Sequence, residues 1–275
     1  MRSIYCLGGL TISCVSAFAN AAITDNFESY AAGSFPSGKW FDARTLIPGA
    51  TSPSPSGTVI TTTGHTGTTK AFQTTRSVGT SQGIVTGVKP SSIVSISANV
   101  RYDIFDNSNN QNGGGWPMAL GFFQWSGTDP NFSPQVTLYA DSTFKNWSLY
   151  VQTSADPQDF QFIRLTSAIT ATNTWYFMSL QIDTNTGEIK SQVRLANSAN
   201  FIVNDTRTIA GWNPAFAQYN IAGAIDGEYG TNATLGGRAT IDNITVVPAP
   251  GAIAFALWST CAVNRRRRCL RSITS

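Results

Sequence analysis

The chain has 275 residues, with 18 basic side chains, 15 acidic ones, one histidine and four cysteines, for a formal charge of +3. Only 12% of its residues are charged, and glycine occupies 24 positions. This composition excludes a surface of clustered Lys and Arg for nucleic acid, a multi-histidine metal centre and, with no CxxC spacing present, a cysteine-based zinc site.

The N-terminus opens with Met1-Arg2, runs through a mostly apolar stretch over 4–15 and reaches Ala17-Phe18-Ala19 and Ala19-Asn20-Ala21. A short cationic start, an apolar run and small-x-small triplets predict a secretory signal peptide over 1–21, with cleavage after Ala19 or Ala21. Thr11-Ile12-Ser13-Cys14 fits a lipoprotein box poorly, because Thr stands at its first position. Cys6 and Cys14 lie in this segment, and Cys261 and Cys269 lie near the other end. The stretch 22–247 is therefore free of cysteine and must rely on core burial without disulfides. With Arg2 and the five tail arginines set aside, the body carries 12 basic against 15 acidic residues, about −3.

The body, roughly 225 residues, is long enough for one sandwich core. Short strands are predicted at 59–63 and 83–86. The clearest follows at 94–104, where Val94, Ile96, Ala98, Val100, Tyr102 and Ile104 alternate with polar residues. A period of two puts the first set on one buried face. Further strands are predicted at 118–125, 135–140, 147–152 and 160–165. Tyr176, Met178, Leu180 and Ile182 mark 175–183, which turns through Thr184-Asn185-Thr186-Gly187 and returns over 188–195 as a hairpin. Strands at 221–226 and 238–246 complete the set. Polar, Gly/Pro/Ser/Thr-rich loops are read at 48–57, 61–69 and 106–117. Gly113-Gly114-Gly115 lacks phosphate-loop spacing, and no repeat marks a solenoid. The fold class is all-β, an antiparallel sandwich of jelly-roll type.

The C-terminal end carries Pro248-Ala249-Pro250, an uncharged run over 251–263, and Arg265, Arg266, Arg267 and Arg268. A run of about 13 residues spans roughly 20 Å as a helix, short of the roughly 20 residues of a comfortable membrane span. The arginines belong on the cytoplasmic side of such a segment. Proline pair, short apolar helix and cation block in this order resemble the PEP-CTERM sorting tail of exported bacterial proteins. Ala249 stands where the named motif has Glu. The resemblance implies three parts: a signal peptide at 1–21, a sandwich at 22–247 and a sorting tail at 248–275. The partners it implies are the secretion machinery and a membrane exosortase.

The body opens with Asp25-Asn26-Phe27-Glu28-Ser29-Tyr30 and closes with Ile241-Asp242-Asn243-Ile244. Between them stand Trp175-Tyr176, Ile182-Asp183 and Gly187-Glu188-Ile189. This pattern resembles the concanavalin A-like lectin/glucanase sandwich, laminin-G-like domains included. The resemblance implies neighbouring first and last strands and a curved sheet able to hold a saccharide or a protein segment. Fold by itself does not assign either role.

Four chemistries are considered. Calcium is the candidate cofactor, with Glu28 and Asp242 as side-chain ligands and Asp25 or Asn243 nearby. A hard cation wants six to eight oxygens. A glycosidase needs two carboxylates across one bond. The body has three glutamates, Glu28, Glu188 and Glu228, and no Glu-x-Asp-x-x-Glu run. Asp226 and Glu228 are the nearest approach to a catalytic pair. A Ser-His-Asp triad would have to use His65, and no Gly-x-Ser-x-Gly elbow accompanies it. Aromatic binding points to Trp116, beside the glycine-rich loop, and Trp212, whereas Trp147 and Trp175 sit in alternating strands as structural residues. The expected function is an exported, non-catalytic carbohydrate- or matrix-binding sandwich. A glycoside hydrolase or lyase on the same scaffold and a ligand-free structural surface protein stand as alternatives.

Overall fold

The computed structural model describes residues 22–46, 57–74, 83–88, 92–105, 116–125, 134–154, 156, 159–225 and 237–248. These lie within one compact unit, Ala21–Ala249. The signal segment, Pro250, Arg265, Arg266, Arg267 and Arg268 lie outside the described residues, as do Asp226 and Glu228 and most of the loops at 48–57 and 106–117. Among the described residues no helix is long and apolar enough to cross a membrane.

Among the described residues, fifteen strands carry the fold. They are β1 (Ile23–Asp25), β2 (Phe41–Asp42), β3 (Gly57–Thr61), β4 (Lys70–Thr74), β5 (Gly83–Gly87), β6 (Ile93–Ile104), β7 (Ala119–Phe123), β8 (Gln135–Ala140), β9 (Asn146–Gln152), β10 (Phe160–Ile169), β11 (Trp175–Asp183), β12 (Glu188–Leu195), β13 (Phe201–Thr208), β14 (Ile221–Ile225) and β15 (Arg238–Pro248). An eight-stranded sheet runs β13-β12-β11-β6-β15-β4-β3, with β1 also on β15; a seven-stranded sheet runs β10-β9-β8-β7-β14-β5-β2. The strand pairings are antiparallel, so the expected all-β antiparallel two-sheet sandwich is what the chain forms. The first and last strands are neighbours, with Ile23, Thr24 and Asp25 opposite Val246, Thr245 and Ile244. β15 runs through Pro248, opposite Val94, so the first proline of the expected tail ends a strand.

The core follows from the alternation. Ile96, Ala98, Val100 and Tyr102 of β6 and Met178, Leu180 and Ile182 of β11 are buried against Leu120, Phe122, Val136, Leu138, Trp147, Leu149 and Val151 of the other sheet. Burying one such side chain stabilises by about 1.5–3 kcal/mol. Tyr102 also ties the two sheets with polar contacts. Its hydroxyl donates to the Met118 carbonyl at 2.9 Å and accepts from the Ala140 N–H at 3.2 Å.

Candidate functional site

The segment after β1 and the strand β15 meet at one loop. After β1, the Asp25 Oδ1 accepts the Phe27 N–H at 2.9 Å and holds Phe27 at a left-handed φ of 60°. A buried aromatic rarely adopts that conformation. Asp25 Oδ2 accepts from the Tyr30 hydroxyl and the Trp40 indole N–H, both at 2.8 Å. Asp25 is thus the hub of the turn, with both of its oxygens taken by donors there. The turn sets Glu28 against the start of β4, where it accepts the Thr69 N–H at 2.6 Å, the Thr69 hydroxyl at 2.9 Å and the Lys70 N–H at 2.8 Å.

Asp242 reaches the same loop from β15. The pairing with β6 shifts register between Asp242 and Thr245, and Asn243 has a φ of 52°. Such a bulge re-aims the side chain beside it. The buried Asp242 carboxylate accepts the His65 N–H at 3.1 Å, the Thr68 hydroxyl and the Asn243 N–H at 2.8 Å. His65, the only histidine, therefore sits in a short 3-10 turn pinned through its backbone. Burial pushes the Asp242 carboxyl above its ordinary value, against the Thr68, Asn243 and His65 donors, and the Glu28 charge pushes it the same way. For Glu28, desolvation works against the charge, but the Thr69 hydroxyl, the Thr69 and Lys70 amides and the Lys70 ammonium outweigh it and hold the carboxyl below its usual range.

The donor set does not suit calcium as it stands. Both carboxylates face N–H and O–H donors, and the Lys70 ammonium already sits on the Glu28 and Tyr30 carbonyls at 2.9 and 2.7 Å. A calcium ion would have to displace these donors to collect its six or more oxygens. Among the described residues no group of three or more His, Cys, Asp and Glu is placed to hold a metal.

The tryptophans read as binding platforms are packed instead. Trp116 is 5% exposed. Its ring lies 4.5 Å from Tyr139 and 5.9 Å from Tyr150, packed there on the approach to β7 at Ala119. Trp212 is half-buried: its indole N–H donates to the Thr184 carbonyl at 2.9 Å and its ring covers Gly187. Trp116 offers no free face, and Trp212 has one ring face against Gly187 and its N–H taken. Trp147 is 1% exposed, as a core residue should be, and Trp175 lies under the Arg101 guanidinium at 5.1 Å.

An exposed aromatic group does exist, on the outer face of the seven-stranded sheet. Phe160 and Phe162 of β10 are 39% and 50% exposed. Phe162 lies directly across from Tyr150 of β9. Tyr150 stacks on Phe160 at 5.5 Å and meets Phe162 edge-on at 5.2 Å, and the two phenylalanines are 5.1 Å apart. Trp116 and Tyr139 pack against Tyr150 from the next strands. Two residues along β10 from Phe162, Arg164 lies over the Phe144 ring at 5.2 Å. The registers place Phe162, Tyr150, Thr137, Gly121, Gly223, Val85 and Phe41 in a single row across all seven strands. At its centre only glycine fits: a Cβ on Gly121 would stand 2.5 Å from the Thr137 methyl and 2.7 Å from the Val136 carbonyl. Aromatic side chains therefore stand at both ends of a row whose middle is small, Phe162 and Tyr150 at one end and a lone Phe41 at the other. Sequence reasoning passes over this group because β10 is apolar on both faces, with Ile163 and Leu165 packed inward. The usable signal is Arg164, which shares a face with Phe160 and Phe162 and so marks that face as the wet one.

A concavity of about 450 Å³ lies elsewhere, lined by Ile23, Thr24, Gly38, Lys39, Phe41 and Thr86. Its one ammonium, Lys39, already donates to the Thr24 carbonyl at 3.0 Å.

No family model matches the chain, and no curated protein matches it. Solved structures do. The calcium- and mannose-bound VIP36 exoplasmic/lumenal domain is 12% identical over 83% of this chain and 89% of its own, with a TM-score of 0.51. A sialidase is 11% identical over 84% of this chain but only 19% of its own, with a TM-score of 0.50. Lectin II from Ulex europaeus is 8% identical over 83% and 98% of the two chains, with a TM-score of 0.49. At such identities the likeness shows the fold alone: the chain shares the two-sheet sandwich of the VIP36 domain.

Proposed function

We propose that this protein is an exported, non-catalytic carbohydrate-binding sandwich that takes its ligand on Tyr150, Phe160 and Phe162. The observation that carries this reading is a cluster of three mutually packed rings on one face, with Phe160 and Phe162 exposed and Tyr150 half-buried between them. A contiguous exposed apolar patch on a soluble domain marks a contact site, and aromatic rings bind the apolar faces of sugars while leaving their hydroxyls in water. A ligand-free structural protein has no need of such a group. The VIP36 domain, which shares the fold, is described with mannose bound, and that supports a saccharide over a protein segment.

Export rests on the sequence: the signal segment at 1–21 and the tail from Pro248 through the arginine cluster direct the body across the inner membrane, with the tail processed by an exosortase. The catalytic alternative would use Asp226 and Glu228, and a sugar-release assay on wild type and Glu228→Gln tests it. Calcium enters this reading only if the ion displaces the donors on Glu28 and Asp242; thermal unfolding with calcium and with EDTA measures that.

The central test is affinity electrophoresis of the full chain in gels containing soluble polysaccharides. Retardation by at least one polymer, lost in Phe162→Ala, is expected. Free migration through every polymer would overturn the assignment.

A further inference from the structure

We infer that the platform is built for an acidic saccharide, a uronate-bearing chain, with Arg164 receiving the carboxylate. This rests on the carbohydrate reading of Tyr150, Phe160 and Phe162 and deepens it.

Among the described residues the other arginines are engaged. Arg44 meets Asp42, Arg101 and Arg238 meet Asp103, Arg207 meets Asp205, and Arg194 donates to the Ala196 and Ser198 carbonyls. Arg164 has no carboxylate or carbonyl partner there. It is exposed, and its one contact of note is the face of Phe144 at 5.2 Å. A ring beneath a guanidinium holds the plane by cation–π attraction and leaves the N–H edge free. That edge is the part that grips a carboxylate with two parallel hydrogen bonds.

Its placement fits the same ligand. Arg164 follows Phe162 by two residues, so the two side chains share the outer face of β10. From Phe160 to Arg164 the strip is about 13 Å long at the strand rise, longer than one sugar ring. Lys145, next to Phe144, carries a second exposed cation, held over Phe105 at 5.8 Å. At the opposite end Asp159, exposed, precedes Phe160. Asp141 lies in the loop that carries Phe144 and Lys145, but it is buried and its Oδ1 already accepts the Thr143 and Phe144 N–H groups; the exposed charges are Arg164 and Lys145 at this end and Asp159 at the other, a polarity that turns a carboxylate toward Arg164. A neutral glycan has no use for this polarity, whereas a uronate satisfies both features: its ring face lies on the aromatics and its carboxylate on the guanidinium.

The experiment uses polygalacturonate and its fully methyl-esterified form, which share a backbone and differ in the carboxylate. Binding of each to the full chain is measured at low and raised salt, for wild type, Arg164→Gln, Arg164→Lys and, as a control on the other sheet, Phe201→Ser. The expected result is about tenfold tighter binding of the acid form, the size of one charge-assisted contact. That preference shrinks in raised salt, falls to near one in Arg164→Gln, is partly kept in Arg164→Lys and is unchanged in Phe201→Ser. Equal binding of the two polymers by wild type, or a tenfold preference surviving in Arg164→Gln, would overturn the inference while leaving the carbohydrate reading standing. Failure to bind either polymer or any neutral polysaccharide would remove both.

Discussion

Glu28 and Asp242, 214 positions apart in the numbering, hold one loop between them: Asp242 accepts the His65 N–H and the Thr68 hydroxyl, and Glu28 accepts the Thr69 N–H, the Thr69 hydroxyl and the Lys70 N–H. The loop leads into β4, so the first and last segments of the body fix a strand of the eight-stranded sheet. Asp242 is fully buried. Asp242→Ala would strand the His65 and Asn243 amides and the Thr68 hydroxyl, and an unsatisfied buried donor costs about 1–3 kcal/mol. Urea unfolding of the variant is expected to show a loss in that range, larger than the loss in Glu28→Ala, whose carboxylate lies nearer solvent. An unchanged midpoint in Asp242→Ala would show that the loop does not depend on the acid.

The two carboxyls should respond to pH with opposite signs. Asp242 is shifted upward, chiefly by burial and also by the Glu28 charge. The stability associated with its protonated form is full below its ordinary value of 3.8 and is lost as pH rises through the raised folded value. Glu28 is shifted downward, so its contribution is present above its ordinary value of 4.5 and is lost as pH falls through the lowered one. Carboxyl NMR titration is expected to place Asp242 above its ordinary value of 3.8 and Glu28 below its ordinary value of 4.5. In Glu28→Gln the Asp242 midpoint should move down, because a repelling charge has gone. An Asp242 midpoint indifferent to that change would show that the two groups do not sense each other.

Tyr102 offers a test of how the sheets are joined. Its hydroxyl is fully buried and bridges β6 of one sheet to the Met118 carbonyl and the Ala140 N–H of the other. Tyr102→Phe keeps the ring, its stacking on Phe105 and its edge-on contact with Trp147 while orphaning both backbone groups. A loss of about 1–3 kcal/mol is expected, read as a lower thermal midpoint with unchanged circular dichroism. A gain in stability would mean that the bridge is replaceable by packing.

The strands that could be read from the sequence are those with one dry and one wet face. The readings 94–104, 175–183 and 188–195 fall on β6, β11 and β12 to within a residue, since Ser95, Ser97 and Asn99 keep the period of two visible. β13 escapes because it is an edge strand: Asp205 and Arg207 point to the same side as Val203 and pair with each other. Inward charges of this kind protect an edge from further pairing and erase the alternation. β4 escapes because it is five residues long and follows a polar loop, with only Ala71 and Phe72 as an apolar signal. At the site, Glu28 and Asp242 were legible as a convergent pair, since the chain ends of this fold meet; that their oxygens would be taken by backbone amides was not, because that depends on a bulge at Asp242. The tryptophans misled for a physical reason. Trp is large enough to be buried wherever a sheet passes beneath it, and adjacency to a loop does not expose it.

The contrast between Trp116 and Phe162 is the sharpest test of where the ligand goes. Trp116 is buried beside Tyr139 and Tyr150, so Trp116→Ala should open a cavity and cost about 3–5 kcal/mol. Phe162 is half exposed at a sheet edge; Phe162→Ala should change stability by no more than about 0.5 kcal/mol yet weaken polysaccharide binding about tenfold, the loss of one stacked ring. Titrating both variants, after a check of folding by near-UV circular dichroism, separates a group that shapes the surface from one that touches the ligand. If folded Phe162→Ala binds as wild type does, the three rings are not the platform, whatever the sandwich holds elsewhere. If Trp116→Ala stays fully stable, Tyr150 is not propped by it, and the ordering of the platform has another source.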